Sequence, residues 1–248
     1  MIPKIIHYCW LSDDPIPPNL QKYIDDWKIK LPEYKIIRWD FNMFPKGKSL
    51  WVDEAFEKRK YAFAADYIRL YALYTYGGIY LDSDVEVLKS FDSFLNYPDM
   101  ICFENSKRKG LEMAVVGTAP KRTWIKECLD HYEGRHFILK NGLFDTKVLP
   151  EVIRDILHKN NWQLNLIESP DDPKRSNEEY VINILPFEYF SPKCFEDGQI
   201  YKTDQTIAIH HFAGSWYGKR EKIYRFLCRC IGKENAKKIA EGIKKFLK

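Results

Sequence analysis

Between Tyr76 and Val85 the chain reads Tyr-Gly-Gly-Ile-Tyr-Leu-Asp-Ser-Asp-Val, an apolar stretch that ends on two carboxylates one residue apart. It follows the mostly apolar run Tyr61 to Tyr76, whose pattern predicts a buried helix. Gly77-Gly78 supplies the positive φ that a helix C-terminus needs before the chain turns into a strand. The order helix, turn, buried strand, acids puts Asp82 and Asp84 where open α/β sheets place their ligands. In an extended chain successive side chains alternate, so Asp82 and Asp84 are expected on one face and Ser83 on the other. Hard oxygen ligands of this kind suit Mg²⁺ or Mn²⁺, which bind through one or two carboxylates, waters and a substrate phosphate. An EF-hand loop is excluded, because counting from Asp82 the sixth position is Val87 and the twelfth is Ser93, where Gly and Glu are required.

A length of 248 residues favours one large α/β domain with insertions. Aromatic residues make up 15% of the chain, which suits flat ligands such as bases and sugar rings, although packing accounts for most of them. Cys9, Cys102, Cys128, Cys194, Cys228 and Cys230 lack metal-ligand spacing, and no secretory apolar segment opens the sequence. The expectation is reduced thiols in a cytoplasmic protein. No run reaches the roughly 18 apolar residues that read as a membrane span.

The net charge of +4 is unevenly spread. Residues 217–248 hold eleven Lys or Arg against three Glu, so residues 1–216 are slightly acidic. Ile223, Phe226, Leu227 and Ile231, then Ile239, Ile243, Phe246 and Leu247, recur at helical spacing. This tail reads as two basic amphipathic helices, suited to an anionic membrane surface or to packing on the domain. With no recognition motif beside the charge, nucleic acid is not an expected partner.

Residues 2–10 read as a first strand, Leu20 to Leu31 as a helix stopped by Pro32, and Lys35 to Trp39 as a second strand. Within the apolar helix 61–76, Asp66 and Arg69 lie three apart on one face, able to pair with each other or with a ligand. Strands are expected at Met100 to Glu104 and Met113 to Thr118, and a helix from Lys121 to Glu133. Residues 134–186 mix short helices with polar loops and read as an acceptor-side insertion. Strands alternating with helices make the chain α/β. After a strand over Gln205 to Ile209 comes His210-His211-Phe212-Ala213-Gly214-Ser215-Trp216, in which His211 is a candidate third metal ligand.

These pieces together resemble the DXD-containing sugar transferases of glycosyltransferase family 32, a GT-A fold group that includes bacterial capsule and lipopolysaccharide enzymes and fungal mannosyltransferases. The glucosylating domain of large clostridial toxins looks like a distant relative. The resemblance is carried by Ile2 to Trp10, Ala65 to Leu70, Gly77 to Asp84, Pro186 to Phe190 and His210 to Trp216. It implies a Rossmann-like nucleotide-binding sheet within a catalytic domain over residues 1–216. It also implies a site in which Tyr8 and Trp10 contact the donor, Trp10 by stacking on the base. Asp66 would accept from sugar or ribose hydroxyls, and Arg69 would donate to the transferred sugar or its phosphate. Asp84 would bind Mn²⁺ or Mg²⁺ directly, Asp82 would reach ribose or the metal through water, and His211 would complete the ligand set. Ser83 would sit on the donor side, and Ser215, Trp216 and Lys219 would close over the diphosphate. Many relatives carry an Asn near Leu111 to Gly117, where this chain has Met113, with Glu112 or Asn105 as substitutes.

The reaction so implied is transfer of a hexose from a nucleotide-diphosphate sugar, a UDP-sugar as in most bacterial-looking relatives in preference to GDP-mannose, to a hydroxyl of a glycan or lipid-linked acceptor. Retention of anomeric configuration follows from the resemblance. No carboxylate stands out as a covalent nucleophile, which favours front-face attack with Asp66, Arg69 and Asp84 as the catalytic set. The basic tail would place the enzyme peripherally on the inner face of the membrane. An effector-type transferase acting on a protein would share every donor residue. A non-catalytic carbohydrate-binding protein would not need paired acids and a distant His. A metal-dependent phosphohydrolase would leave Trp10 and Ser215-Trp216 without a role.

Overall fold

The computed structural model describes residues 1–106 and 110–214, together with Gly232 and Asn235. The basic tail and Ser215, Trp216 and Lys219 therefore lie outside the described residues.

The chain adopts the α/β class expected from its sequence. A central five-stranded sheet runs in the order β2 (Lys35–Trp39), β1 (Ile5–Cys9), β3 (Gly78–Leu81), β6 (Val115–Thr118), β5 (Asp99–Met100). β1 is parallel to β2 and to β3, while β6 runs antiparallel to β3 and to β5. Four helices pack on one face: α2 (Leu50–Glu57), α3 (Tyr61–Tyr76), α4 (Thr123–Asp130) and α5 (Leu149–Lys159). The other face carries α1 (Pro18–Lys30) and the segment around Phe187–Tyr189. Strand alternation sorts the core between the two faces. Tyr80 and Val116 join Trp51, Ile68 and Trp124 on the helical side, while Ile79, Leu81 and Val115 join Ile6, Trp27 and Phe190 on the other.

The helix-to-strand junction is built as its glycines suggest. Gly77 caps α3 at φ +64°, its N–H donating to the Leu73 carbonyl at 2.9 Å, and Gly78 opens β3 at φ +101°. A Cβ on Gly78 would lie 2.6 Å from the Ile5 carbonyl oxygen, so β1 and β3 meet only because no side chain is there. Behind the junction the buried His7 Nε2 donates to the Gly77 carbonyl at 2.8 Å, and its Nδ1 accepts from Trp39 Nε1 at 3.1 Å. Burial pushes this imidazole down to about 4, so it stays neutral and works as a clamp.

Two smaller ladders complete the architecture of the described residues. β4 (Val85–Val87) pairs antiparallel with β9 (Ala208–His210), and β7 (Gln163–Leu166) pairs parallel with β8 (Val181–Ile184). β8 runs on past the central sheet through a parallel bridge between Cys102 and Leu185. Residues 134–186, read as an insertion, thus give the core Val152, Ile153 and Leu157 from α5 and Ile182 and Ile184 from β8.

Candidate functional site

Asp82 follows β3 directly, but the backbone does not continue extended as the alternation argument assumed. The Val85 N–H donates to the Asp82 carbonyl at 3.0 Å, closing a turn through Ser83 and Asp84. Both acids still face one cavity, brought there by the turn, and Ser83 lines that cavity as well instead of pointing away. Asp84 is held from behind, its Oδ2 accepting from the Ala213 N–H at 2.7 Å while its carbonyl accepts from the His211 N–H at 3.2 Å.

The β4–β9 ladder decides which histidine joins the acids. His210 lies opposite Val85, and its Nε2 stands 3.7 Å from Asp84 Oδ1. His211, expected as the ligand, does not reach them. Adjacent residues along a strand point to opposite faces, so His211 shares the face of Ile209, which lies opposite Glu86. There its Nε2 donates to Glu86 Oε2 at 2.9 Å, and its ring stacks on Tyr23 with centroids 5.1 Å apart. One ligand atom each from Asp82, Asp84 and His210 lie within 4.8 Å of one another. Two carboxylates and an imidazole at that spacing could hold a divalent cation.

Behind this cluster Arg69 is buried under the Tyr80 ring, 4.3 Å from its centroid. Its guanidinium donates to the Met113 carbonyl and to Asp82 Oδ1 at 3.1 Å, and it stands 3.4 Å from Asp66 Oδ1. Asp66 and Arg69 thus pair as their spacing predicts, with Asp82 as a third member. Burial favours the neutral form of Asp66 and outweighs the pull of Arg69, while Asp82 adds repulsion, so its carboxyl rises to about 7. Asp82 is also raised, by burial first and by Asp84 second, against Arg69.

His210 shifts the other way. Burial disfavours its charge, yet Glu112 and Asp84 together outweigh burial and lift it to about 10. In the ion-free protein the imidazolium thus supplies positive charge among the carboxylates. Glu112 itself is buried and held below the usual range, burial being overcome by His210 and by hydrogen bonds from Ser191 and Ala114.

The cavity encloses about 960 Å³ between the sheet edge, α3 and the start of α5. Trp10 lines it, its Nε1 donating to the Asp14 carbonyl at 2.8 Å. Tyr8, expected beside it, does not line the cavity. One residue's alternation separates it from Cys9, and it is buried on the opposite face with its ring edge against Trp27. Two groups escaped the sequence reading. His210 was passed over for its neighbour, though pairing β9 against Val85–Val87 would have separated the two. Glu112 was weighed only as a stand-in for an amide, though a carboxylate flanked by Leu111 and Met113 must find partners if buried.

Residues 17–101 match the family model described as the glycosyltransferase sugar-binding region containing a DXD motif. This stretch is similar to a glycosyltransferase sugar-binding region. It spans Asp66, Arg69, Asp82 and Asp84, and leaves Trp10, Glu112 and His210 outside. The chain is 31% identical, over 56% of its length, to mannosyl phosphorylinositol ceramide synthase SUR1 of Saccharomyces cerevisiae, and covers 37% of that protein. It is 25% identical, over 86% of its length, to the initiation-specific alpha-1,6-mannosyltransferase of Candida albicans, covering 72% of it. Among solved structures the PaToxG glycosyltransferase aligns with 64% of this chain and 69% of its own at 19% identity and a TM-score of 0.47. The chain spans between a third and two fifths of the length of the curated inositol phosphoceramide relatives it matches.

Proposed function

We propose that the protein is a metal-dependent, retaining glycosyltransferase of the GT-A type, which moves a hexose from a nucleotide-diphosphate sugar to a hydroxyl of a glycan or glycolipid. The observation that carries this reading is the grouping of Asp82, Asp84 and His210 on the wall of a cavity large enough for a nucleotide sugar. Drug-sized ligands occupy pockets of roughly 300–1,000 Å³.

The barrier in such a transfer lies in parting the anomeric carbon from a diphosphate that gathers negative charge as it leaves. A divalent cation held by Asp82, Asp84 and His210 would supply Lewis-acid stabilisation of that charge, typically worth several kcal/mol. The chain's own groups prepare the site for it. Arg69 fixes the Asp82 carboxylate through its guanidinium, and the Ala213 N–H fixes Asp84. Asp66 stands on the cavity wall with a carboxyl that titrates near neutrality, suited to hydrogen-bonding hydroxyls of the donor as acceptor or as donor. Trp10 offers an aromatic surface at the end of β1 for the base.

The Candida relative is named a mannosyltransferase and SUR1 a mannosyl phosphorylinositol ceramide synthase, which supports mannose as a transferred sugar and a glycolipid as acceptor. UDP-hexoses stay in the donor set because an aromatic surface such as that of Trp10 can stack on any base. A lipid acceptor also fits a peripheral position on a membrane through residues 217–248. A thermal-shift panel of UDP-glucose, UDP-galactose, UDP-N-acetylhexosamines and GDP-mannose, each with and without Mn²⁺, tests the reading, since a ligand of the folded state raises the midpoint. The expected result is a rise for one nucleotide sugar that needs Mn²⁺. No rise for any of them would remove the proposal.

A further inference from the structure

Glu112 is among the least exposed charged side chains of the described residues, at 1% accessibility, and the chemistry proposed above gives it no task. Burying a carboxylate is costly unless it is fully hydrogen-bonded, and every oxygen of this one is engaged. Oε1 accepts from the Ala114 N–H at 2.8 Å. Oε2 accepts from the Ser191 hydroxyl at 2.6 Å and faces His210 Nδ1 at 3.2 Å. Ser191 is itself fully buried, and its hydroxyl accepts from the Asn105 N–H at 3.4 Å. With both oxygens occupied, Glu112 is poorly placed to act as a nucleophile or as a cation ligand, and it lies outside the three-residue cluster that could hold one.

Its contact is with the ring nitrogen of His210 that faces away from Asp84. An imidazole can ligate a cation through one nitrogen while donating an N–H from the other, and the partner of that N–H sets both tautomer and ring orientation. We propose that Glu112 is the positioning residue of the cation site. It takes the Nδ1–H of His210 and so leaves Nε2 bare and aimed at Asp84, and Ser191 and the Ala114 N–H hold Glu112 in turn. This rests on the reading of Asp82, Asp84 and His210 as a divalent-cation site. It adds that the site's third ligand is aligned by a chain of hydrogen bonds running through the core to the segment after the Phe187–Tyr189 turn.

The test is Mn²⁺ affinity of the full chain, read from the electron paramagnetic resonance signal of free Mn²⁺, for wild type, Glu112→Gln and Ser191→Ala. Glu112→Gln keeps the volume and removes the charge, and should weaken binding by about 10-fold or more, the usual cost of losing such a partner. Ser191→Ala should weaken it in the same direction by a smaller factor, and stands in if Glu112→Gln does not fold. In the Mg²⁺-loaded wild type, ¹⁵N spectra should show His210 as the Nδ1–H tautomer. A structural role alone would lower the thermal midpoint and leave both readouts unchanged. Mn²⁺ affinity within twofold of wild type in the folded variants overturns the role of Glu112 while leaving the cation site standing. Absence of Mn²⁺ uptake by the wild type overturns the cation site itself and the inference with it.

Discussion

Asp82 and Asp84 share one turn at the end of β3, whereas His210 arrives along β9 from the far end of the described chain and is backed by Glu112 from a third segment. The first half of the site is local. Its position follows from a buried helix, a glycine pair and a short apolar strand that succeed one another without interruption. The second half exists only after β4 and β9 have paired, so its composition depends on register, and a one-residue shift exchanges His210 for His211. A motif search finds the first kind of half, while the second has to be read from tertiary structure.

The largest effect should come from the local half. Asp84→Asn removes a charge from the cation cluster and leaves its neighbours' packing intact, and should cut transfer by about a thousandfold, equivalent to about 4 kcal/mol of barrier. Initial rates with saturating donor and Mn²⁺ measure it, and turnover within tenfold of wild type would sink the assignment. Next in size is the contrast within the histidine pair. His210→Ala should lower both Mn²⁺ affinity and transfer by about a hundredfold, while His211→Ala, which loses a half-buried pairing with Glu86 and a stack on Tyr23, should stay within about threefold. The reverse order would mean that the register linking β4 and β9 is wrong.

A third test uses pH. Asp66 titrates at about 7 in the folded protein and near 3.8 as an ordinary carboxyl, so the folded state binds the extra proton between those values. Stability from this group is therefore present at low pH and declines as pH rises from about 4 through about 7. Asp66→Asn removes the titration, so its midpoint should fall less than that of wild type across the same window. A gap of about 2–4 °C corresponds to each kcal/mol for a chain of this size. Parallel pH profiles of the two proteins in thermal melts would show that Asp66 is ionised throughout.

The same contrast explains what the sequence revealed of the fold. α3, β2 and the strand before the acids were legible because each carries an uninterrupted pattern and a clear stop: the glycine pair after Tyr76, the Pro32 that ends the helix before β2. α2 went unread, although Ser49 caps it by accepting from the Val52 N–H and Asp53 complements its first turn, because eight residues offer little periodicity. β8 was hidden in a segment rich in Asp, Pro and Ser. Its four residues are all buried, but they belong to a core that only the bridge from Cys102 to Leu185 brings together. On the cavity wall, Asp66, Arg69, Asp82, Asp84 and Trp10 are legible from local pattern and resemblance. Glu112 and His210 depend on contacts between segments that no local pattern relates.

The smallest predicted effect carries the comparison into a single strand. Tyr8 and Trp10 both stand at the end of β1, two residues apart, which by alternation alone would put them on one face. Both pack on the core that holds Trp27, but β1 ends at Cys9 and from there the Trp10 indole reaches the Asp14 carbonyl. Tyr8 stays in the core against Trp27 and Trp10 opens onto the cavity. Removing a stacking surface costs about 1–3 kcal/mol per base in proteins that bind nucleotides this way, so Trp10→Ala should weaken binding of the free nucleoside diphosphate by about tenfold, read by calorimetry with Mn²⁺ present. Tyr8→Leu, which removes the ring, should leave that affinity within twofold, because the Tyr8 ring meets Trp27 and not the ligand. If a folded Tyr8→Leu variant weakens binding as much as Trp10→Ala does, the end of β1 must turn its tyrosine outward, and the base would then be held by a pair of rings instead of one.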